Sequence, residues 1–164
     1  MIDSTRFSSV IGTITLTATA KGISKVNLGE PLSDTFVESE YSSLLSKTKE
    51  QLLEYLAGKR QSFDVPLDWS EILGFKLDVL KITSCIPFGQ TLTYGQIAAQ
   101  LTKPKASRAV GASLAHNPLP LLIPCHRVVA ADGALTGYLG NNGIAIKKLL
   151  LELEGLQIVG EKLG

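Results

Sequence analysis

The run TYGQIAAQLTKPKASRAVGASLAHNP, residues 93–118, constrains the fold more than any other part of the sequence. Thr93 is suited to cap a short helix predicted over residues 94–101. Ser107 is suited to cap a second helix, predicted over residues 108–115. Two short helices joined by a tight turn predict a helix-turn-helix, a motif that also occurs in proteins that never bind DNA.

On the C-terminal side of this motif, a stiff segment of the chain ends at a cysteine. Residues 119–124 are apolar, and their prolines exclude an ordinary central strand or helix. We therefore expect a buried segment that ends at Cys125. Residues 132–143 have the composition of a loop, and a last helix is predicted over residues 144–153.

The chain on the N-terminal side begins with a β-rich stretch. Residues 12–18 and 23–28 alternate apolar and polar side chains, which predicts a β-hairpin. A helix is predicted from about Phe36 to Leu56, ending at Gly58. Residues 63–67 suggest a short strand, and Asp68, Trp69 and Ser70 a linker.

The order of these elements predicts an α+β protein with two domains in its 164 residues. A helix from Phe75 to Ile82, which must end before Pro87, opens the second domain. We place an α/β structural domain at residues 1–68 and a mainly helical domain at residues 69–164.

Charge is unevenly distributed although the net charge is only +1. Residues 30–71 carry nine acidic and four basic side chains, whereas residues 74–127 carry six basic and one acidic. The second stretch could face phosphates, or it could be an ordinary solvated surface. The sequence has no secretory signal and no apolar run of roughly 20 residues, so we expect a protein that does not span a membrane and is cytoplasmic, or nuclear in a eukaryotic host.

The sequence contains two cysteines, Cys85 and Cys125, and two histidines, His116 and His126. Their spacing does not suggest a zinc site, so no metal and no cofactor are predicted. Cys125 precedes His126 and Arg127, which could activate its thiol. The alternative on local chemistry is that Cys125 is a small buried apolar side chain.

The stretch Pro124-Cys125-His126-Arg127-Val128-Val129 resembles the signature of the O6-alkylguanine-DNA alkyltransferases, the methylated-DNA–protein-cysteine methyltransferases. The resemblance extends over residues 75–156. Its further blocks occur in the family's order: Thr93-Tyr94-Gly95-Gln96-Ile97-Ala98, Ser107-Arg108-Ala109-Val110-Gly111, Asn117-Pro118, Gly137-Tyr138 and Glu154-Gly155. The resemblance implies a ribonuclease H-like N-terminal domain and a winged-helix-like C-terminal domain with the helix-turn-helix.

The family's reaction transfers an alkyl group from O6-alkylguanine to the protein's own cysteine, irreversibly and once per molecule. The resemblance implies that Cys125 is the nucleophile, that His126 is the base acting through a water, and that Glu154 orients His126. Tyr94 would hydrogen-bond guanine N3, and Asn117 would tie the turn after the second helix to the active-site backbone. The remaining residues expected to bind the substrate are Val128, Tyr138, Leu139, Gly140 and Lys147.

The implied partner is double-stranded DNA, bound through its minor groove with the damaged nucleotide rotated out of the stack. Arg108 would fill the gap that the nucleotide leaves. The small residues around it would let the second helix approach the DNA closely, and they are Ser107, Ala109, Gly111 and Ala112. A monomer is expected, with cooperative binding along DNA left open.

Two other functions remain to be distinguished from alkyl transfer. A non-catalytic protein of the same fold would bind alkyl lesions without reacting, and the presence of Cys125 argues against it. A cysteine hydrolase using Cys125 and His126 would turn over and would keep no permanent modification.

Overall fold

A computed structural model describes residues 2–29, 42–138 and 143–164 of the chain. The chain forms two compact units, residues 1–71 and 72–164. The assignment of a structural role to residues 1–68 and of DNA binding and alkyl transfer to residues 69–164 stays a prediction. Among the described residues, no helix is both long and apolar enough to cross a bilayer.

The N-terminal unit contains a three-stranded antiparallel sheet of β1 (Asp3–Ser9), β2 (Gly12–Thr19) and β3 (Gly22–Leu28), in that order. The predicted hairpin is confirmed as β2 and β3. The strand β1 was not predicted, because Phe7 is its only buried residue and its sequence lacks an apolar alternation.

The helix α1 (Ser42–Leu56) packs against this sheet. Its buried side chains and those of the inner sheet face form the core of the unit, namely Leu45, Leu52, Tyr55, Ile14, Leu16, Ile23 and Val26. The predicted helix start near Phe36 lies outside the described residues. The predicted strand at 63–67 is wrong: only Leu67 forms a bridge, with Ile23, because Pro66 has no N–H to donate to a ladder.

The C-terminal unit is mainly helical, with α2 (Gly74–Ser84), α3 (Tyr94–Gln100), α4 (Ser107–Ala115) and α5 (Gly143–Leu153). The α2, α3 and α4 helices pack on one another. Thr93 caps α3 as predicted, in a capping box with Gln96. Ser107 does not cap α4: Ser107 is already helical, and the N-cap residue is Ala106, which makes no side-chain cap bond.

Short strands outside the helices of this unit pair with one another. The strand β4 (Leu92–Thr93) pairs in parallel with β5 (Val128–Val129), which directly follows a 3-10 turn at Cys125–Arg127. The strands β6 (Ile158–Val159) and β7 (Lys162–Leu163) form a C-terminal hairpin that was not predicted. The expected burial of residues 119–124 is confirmed, as is the α+β class.

Candidate active site

Backbone hydrogen bonds hold Cys125 at the end of the buried segment. Ile123 N donates to Leu119 O at 2.8 Å, and Cys125 N donates to Ile123 O at 2.7 Å. Leu121 has a φ of 72°, a left-handed conformation that a leucine keeps only where its surroundings enforce it. The segment therefore has a single defined path, and it leaves the Cys125 side chain at the start of the 3-10 turn.

Asn117 joins the end of α4 to this segment. Its Nδ2 donates to Ile123 O at 3.0 Å, and its Oδ1 accepts from Leu119 N at 2.9 Å. The nitrogen and the oxygen of its side-chain amide thus both hold the segment that carries Cys125. These bonds join the turn after α4 to the segment that carries Cys125, and the role of Asn117 in the reaction stays a prediction.

The Cys125 thiol lies in an environment that opposes ionisation overall. Burial raises the pKa of Cys125, while a hydrogen bond from the Asn117 side chain and the positive charge of Lys147 partly offset that rise. A thiol in this state is protonated at neutral pH. Nucleophilic attack therefore requires a base that removes the thiol proton.

The Glu154 carboxylate accepts hydrogen bonds from four N–H groups. Its Oε2 accepts from His126 Nε2 at 2.7 Å and from Arg127 Nη2 at 3.0 Å. Its Oε1 accepts from Arg127 Nε at 2.8 Å and from Gly89 N at 3.0 Å. This carboxylate, buried at the end of α5, is held in one orientation by a bidentate guanidinium and a backbone amide.

The His126 ring is suited to act as a base. Burial lowers the pKa of His126, and the hydrogen bond to Glu154 opposes that shift. Because a carboxylate only accepts hydrogen bonds, Nε2 carries the proton of the neutral ring and Nδ1 carries the lone pair. The pair therefore fixes the tautomer in which Nδ1 accepts a proton.

Arg127 was considered in the sequence only as a possible activator of the Cys125 thiol, and its contacts in the structure were not predicted. Besides its two bonds to Glu154, its Nη1 donates to Ile86 O at 2.6 Å, and its guanidinium lies 5.9 Å from the centre of the Phe88 ring. Its position next to His126 was visible in the sequence, but its partners lie 27 and more residues away. Arg127 balances the charge of a buried carboxylate, which would otherwise be costly.

A small cavity of about 20 Å³ opens onto the Cys125 side chain. Five of the predicted site residues line it, namely Tyr94, Asn117, Cys125, Tyr138 and Lys147, together with Leu114, Ala115, Pro120 and Gly137. The fold thus gathers residues from four separate parts of the chain around the thiol.

The Thr136 carbonyl receives two hydrogen bonds in this cavity. Tyr94 Oη donates to it at 3.0 Å, and Lys147 Nζ donates to it at 3.0 Å. Lys147 Nζ also donates to Val128 O at 2.5 Å, so the carbonyl of Val128, a residue predicted to bind the substrate, already has one partner. Burial raises the pKa of Tyr94 and lowers that of Lys147 to about 8.

The predicted DNA-binding residues of α4 differ in how far they are exposed to solvent. Arg108, Ala109 and Ala112 are exposed, whereas Ser107 is half-buried. Gly111 is also half-buried, and a Cβ there would lie 3.9 Å from the Tyr94 ring. Leu139 and Gly140 lie outside the described residues. Among the residues that are described, no group of three or more His, Cys, Asp or Glu side chains could hold a metal ion.

Two family models match the chain. The model of the "6-O-methylguanine DNA methyltransferase, ribonuclease-like domain" matches residues 4–69, and the model of the DNA binding domain of the same name matches residues 74–156. These matches confirm the expected fold class, with a ribonuclease-like N-terminal part and a mainly helical C-terminal part.

Individual proteins show the same similarity. A methylated-DNA–protein-cysteine methyltransferase of Methanosarcina acetivorans is 42% identical over 154 residues, which are 91% of this chain and 96% of that protein. The crystal structure of Mycobacterium tuberculosis OGT in complex with DNA is 38% identical, with a TM-score of 0.80 over 93% of both chains. S. pombe Atl1, in complex with damaged DNA containing O6-carboxymethylguanine, is 30% identical, with a TM-score of 0.51 over 55% of this chain and 88% of that one.

Proposed function

This chain belongs to the 6-O-methylguanine DNA methyltransferase family, and on that premise we propose that it repairs DNA by moving the alkyl group of O6-alkylguanine onto Cys125. The observation that carries the proposal is the buried Cys125 thiol, followed in the chain by a His126 ring whose Nε2 lies 2.7 Å from Glu154 Oε2. This arrangement supplies a nucleophile, a base and a group that orients the base.

The reaction is a displacement at the alkyl carbon. The Cys125 sulfur forms a bond to that carbon while the bond between the carbon and guanine O6 breaks. The thiol proton moves through a water to His126 Nδ1, and the departing guanine takes up one proton from water. His126 then releases its proton to solvent, so no proton is gained or lost overall. The product is a thioether, which water does not hydrolyse, so each molecule acts once and needs no cofactor.

Tyr94 offsets the negative charge that develops on the leaving base. Its hydroxyl donates to guanine N3 in this proposal, as a positioned proton donor. In the free protein the hydroxyl donates to Thr136 O at 3.0 Å and also lies 3.2 Å from Thr136 Oγ1, and burial keeps it protonated by raising its pKa. Substrate binding therefore moves this hydroxyl from Thr136 to the base.

The other groups of the cavity hold the guanine and the thiolate. The carbonyls of Cys125 and Val128 accept from the guanine amine, since a carbonyl has a second lone pair beside the one that Lys147 uses. The sequence resemblance assigns Tyr138, Leu139 and Gly140 to binding of the base, and Tyr138 lines the cavity. The ammonium of Lys147 offsets charge on the Cys125 sulfur, because its positive charge lowers the pKa of Cys125 and a negative sulfur raises the pKa of Lys147.

The helix α4 is the proposed surface for double-stranded DNA. The exposed side chains Arg108, Ala109 and Ala112 lie on the helix whose C-terminal residues Leu114 and Ala115 line the cavity. Rotating a nucleotide out of the stack costs a few kcal/mol. A side chain as long as arginine can occupy the space that the nucleotide leaves. We propose minor-groove binding by a monomer, with Ser107 and Gly111 completing the close approach.

A transfer experiment tests this function against its alternatives. Duplex DNA that carries labelled O6-methylguanine is mixed with a limiting amount of protein, and label on protein and label in solution are followed separately. The proposal expects transfer that stops at one methyl group per molecule and is absent in Cys125→Ser. Release of label by repeated turnover would indicate a hydrolase, and DNA binding without transfer would indicate a lesion-binding protein; either result would contradict the proposal. Cys85→Ser is the matched control, because the Cys85 thiol is exposed and lies outside the cavity.

A further inference from the structure

The C-terminal hairpin of β6 and β7 lies beyond residues 74–156, the part of the chain that the DNA-binding family model matches. The hairpin pairs with the segment that leads into the cavity. Leu135 N donates to Glu161 O at 2.8 Å, and Leu163 N donates to Gly133 O at 3.0 Å. An antiparallel bridge joins Ala134 and Lys162 between these two bonds.

Side chains hold the same segment from its buried side. Leu135 is 3% exposed and belongs to a cluster with Val129 and Leu151. Two residues of the hairpin, Ile158 and Leu163, pack against that cluster. The backbone of Leu135 is thus paired with the hairpin while its side chain is covered in part by the hairpin.

The residue after Leu135 is Thr136, whose carbonyl accepts from Tyr94 Oη and from Lys147 Nζ. A carbonyl can orient a hydroxyl only as well as its own peptide is held. Lys147 Nζ holds this carbonyl directly, and the hairpin holds Leu135, the residue before Thr136. The hairpin is therefore connected to the Tyr94 hydroxyl through Leu135 and Thr136.

From these contacts we infer that the C-terminal hairpin positions the Tyr94 hydroxyl by fixing the Thr136 carbonyl. This inference rests on the proposed function, since it assigns the hairpin to the reaction in which Tyr94 donates to the departing guanine. Leu163 is then a positioning residue: it contacts neither the base nor the sulfur, and it acts through Leu135, Thr136 and Tyr94 in turn.

The test is a double-mutant cycle between Leu163→Ala and Tyr94→Phe. The first-order rate constant for methyl transfer is measured with saturating O6-methylguanine duplex, at a temperature well below the melting point of each variant. We expect Leu163→Ala to lower this rate constant about tenfold when Tyr94 is present, and less than about twofold when it is combined with Tyr94→Phe, because the effects of residues coupled through a shared backbone shift are not additive. The control is Val159→Ala, since Val159 is 64% exposed, and it should leave the rate unchanged.

Equal losses in the two backgrounds would overturn the inference, because a general weakening of the fold does not depend on Tyr94. No loss in either background would overturn it as well. If Leu163→Ala does not fold, Gly133→Ala replaces it: Gly133 has a φ of +85°, and a Cβ there would lie 3.4 Å from Leu163 Cβ. Transfer by the unsubstituted protein is measured alongside, so that failure of the proposed function is distinguished from failure of this inference.

Discussion

His126 Nε2 lies 2.7 Å from Glu154 Oε2, and neither side chain has any surface exposed to solvent. The same carboxylate also neutralises Arg127. One acidic group therefore serves two purposes in the proposed reaction. It selects the tautomer of the base, and it compensates a buried cation.

Replacing Glu154→Gln should damage stability and reaction together. The variant keeps the shape of the side chain but leaves the Arg127 charge buried without a counter-ion, which costs about 3 kcal/mol. Denaturant unfolding measures this loss, and single-turnover transfer should slow at least tenfold. The matched control is Glu152→Gln, an exposed residue near the end of the same helix; equal effects of the two substitutions would contradict the assigned role.

The transfer rate should depend on pH in the shape of a bell. The rate climbs with pH at first, because His126 accepts the thiol proton only as a neutral ring, and burial lowers the pKa of His126. It falls as pH passes about 8, the pKa to which burial lowers Lys147, because the neutral amine no longer offsets charge on the sulfur. Rate profiles of Lys147→Met and Lys148→Met check this: the falling limb should vanish only in the first. A falling limb that persists in Lys147→Met would rule out this role of the ammonium.

Arg108→Ala should separate DNA recognition from chemistry. Arg108 is exposed on α4 and lies outside the cavity that contains Cys125. Repair of O6-methylguanine in duplex DNA should slow at least tenfold, whereas the reaction with free O6-benzylguanine should be unaffected. The two rates are compared at one salt concentration, because phosphate contacts depend strongly on salt. Similar losses with both substrates would remove the proposed role in nucleotide rotation.

Asp68 should stabilise the N-terminal unit. Hydrogen bonds from Ser70 and Thr19 lower its pKa from 3.8 to about 2, so its contribution is fully present above pH 3.8 and is lost as pH falls through about 2. Asp68→Asn should therefore lower the free energy of unfolding at pH 7 by about 1 kcal/mol. The difference in the free energy of unfolding between this variant and the unsubstituted protein should shrink as the pH falls. Asp64→Asn, at a side chain that is 90% exposed, is the control and should leave the free energy of unfolding at pH 7 nearly unchanged.

Local sequence signals predicted the local elements well. Thr93 was predicted as the N-cap of α3, and the structure adds Gln96 as its capping-box partner. The apolar alternation of residues 12–18 and 23–28 predicted the hairpin of β2 and β3. The prediction that Ser107 caps α4 was wrong, because a serine at the start of a helical pattern can be the first residue of the helix as well as its N-cap. The hairpin of β6 and β7 was missed because two-residue strands are too short to show a period.

The site was predicted through resemblance rather than through spacing. His126 and Glu154 are 28 residues apart, and no periodicity in the sequence brings them together. The partners of Arg127 depend on α2 and α5 packing around the 3-10 turn, which is a tertiary arrangement. The shared Thr136 carbonyl was equally hidden, because it is a backbone group and leaves no signature in the side chains.

The most direct test of alkyl transfer to Cys125 is the intact mass of the protein after reaction with an O6-methylguanine duplex, followed by peptide mapping. The account predicts the addition of a single methyl group, located on Cys125, in unsubstituted protein and in Cys85→Ser, and no addition in Cys125→Ser. Methylation of Cys85, or an unchanged mass after the lesion has disappeared from the DNA, would contradict it.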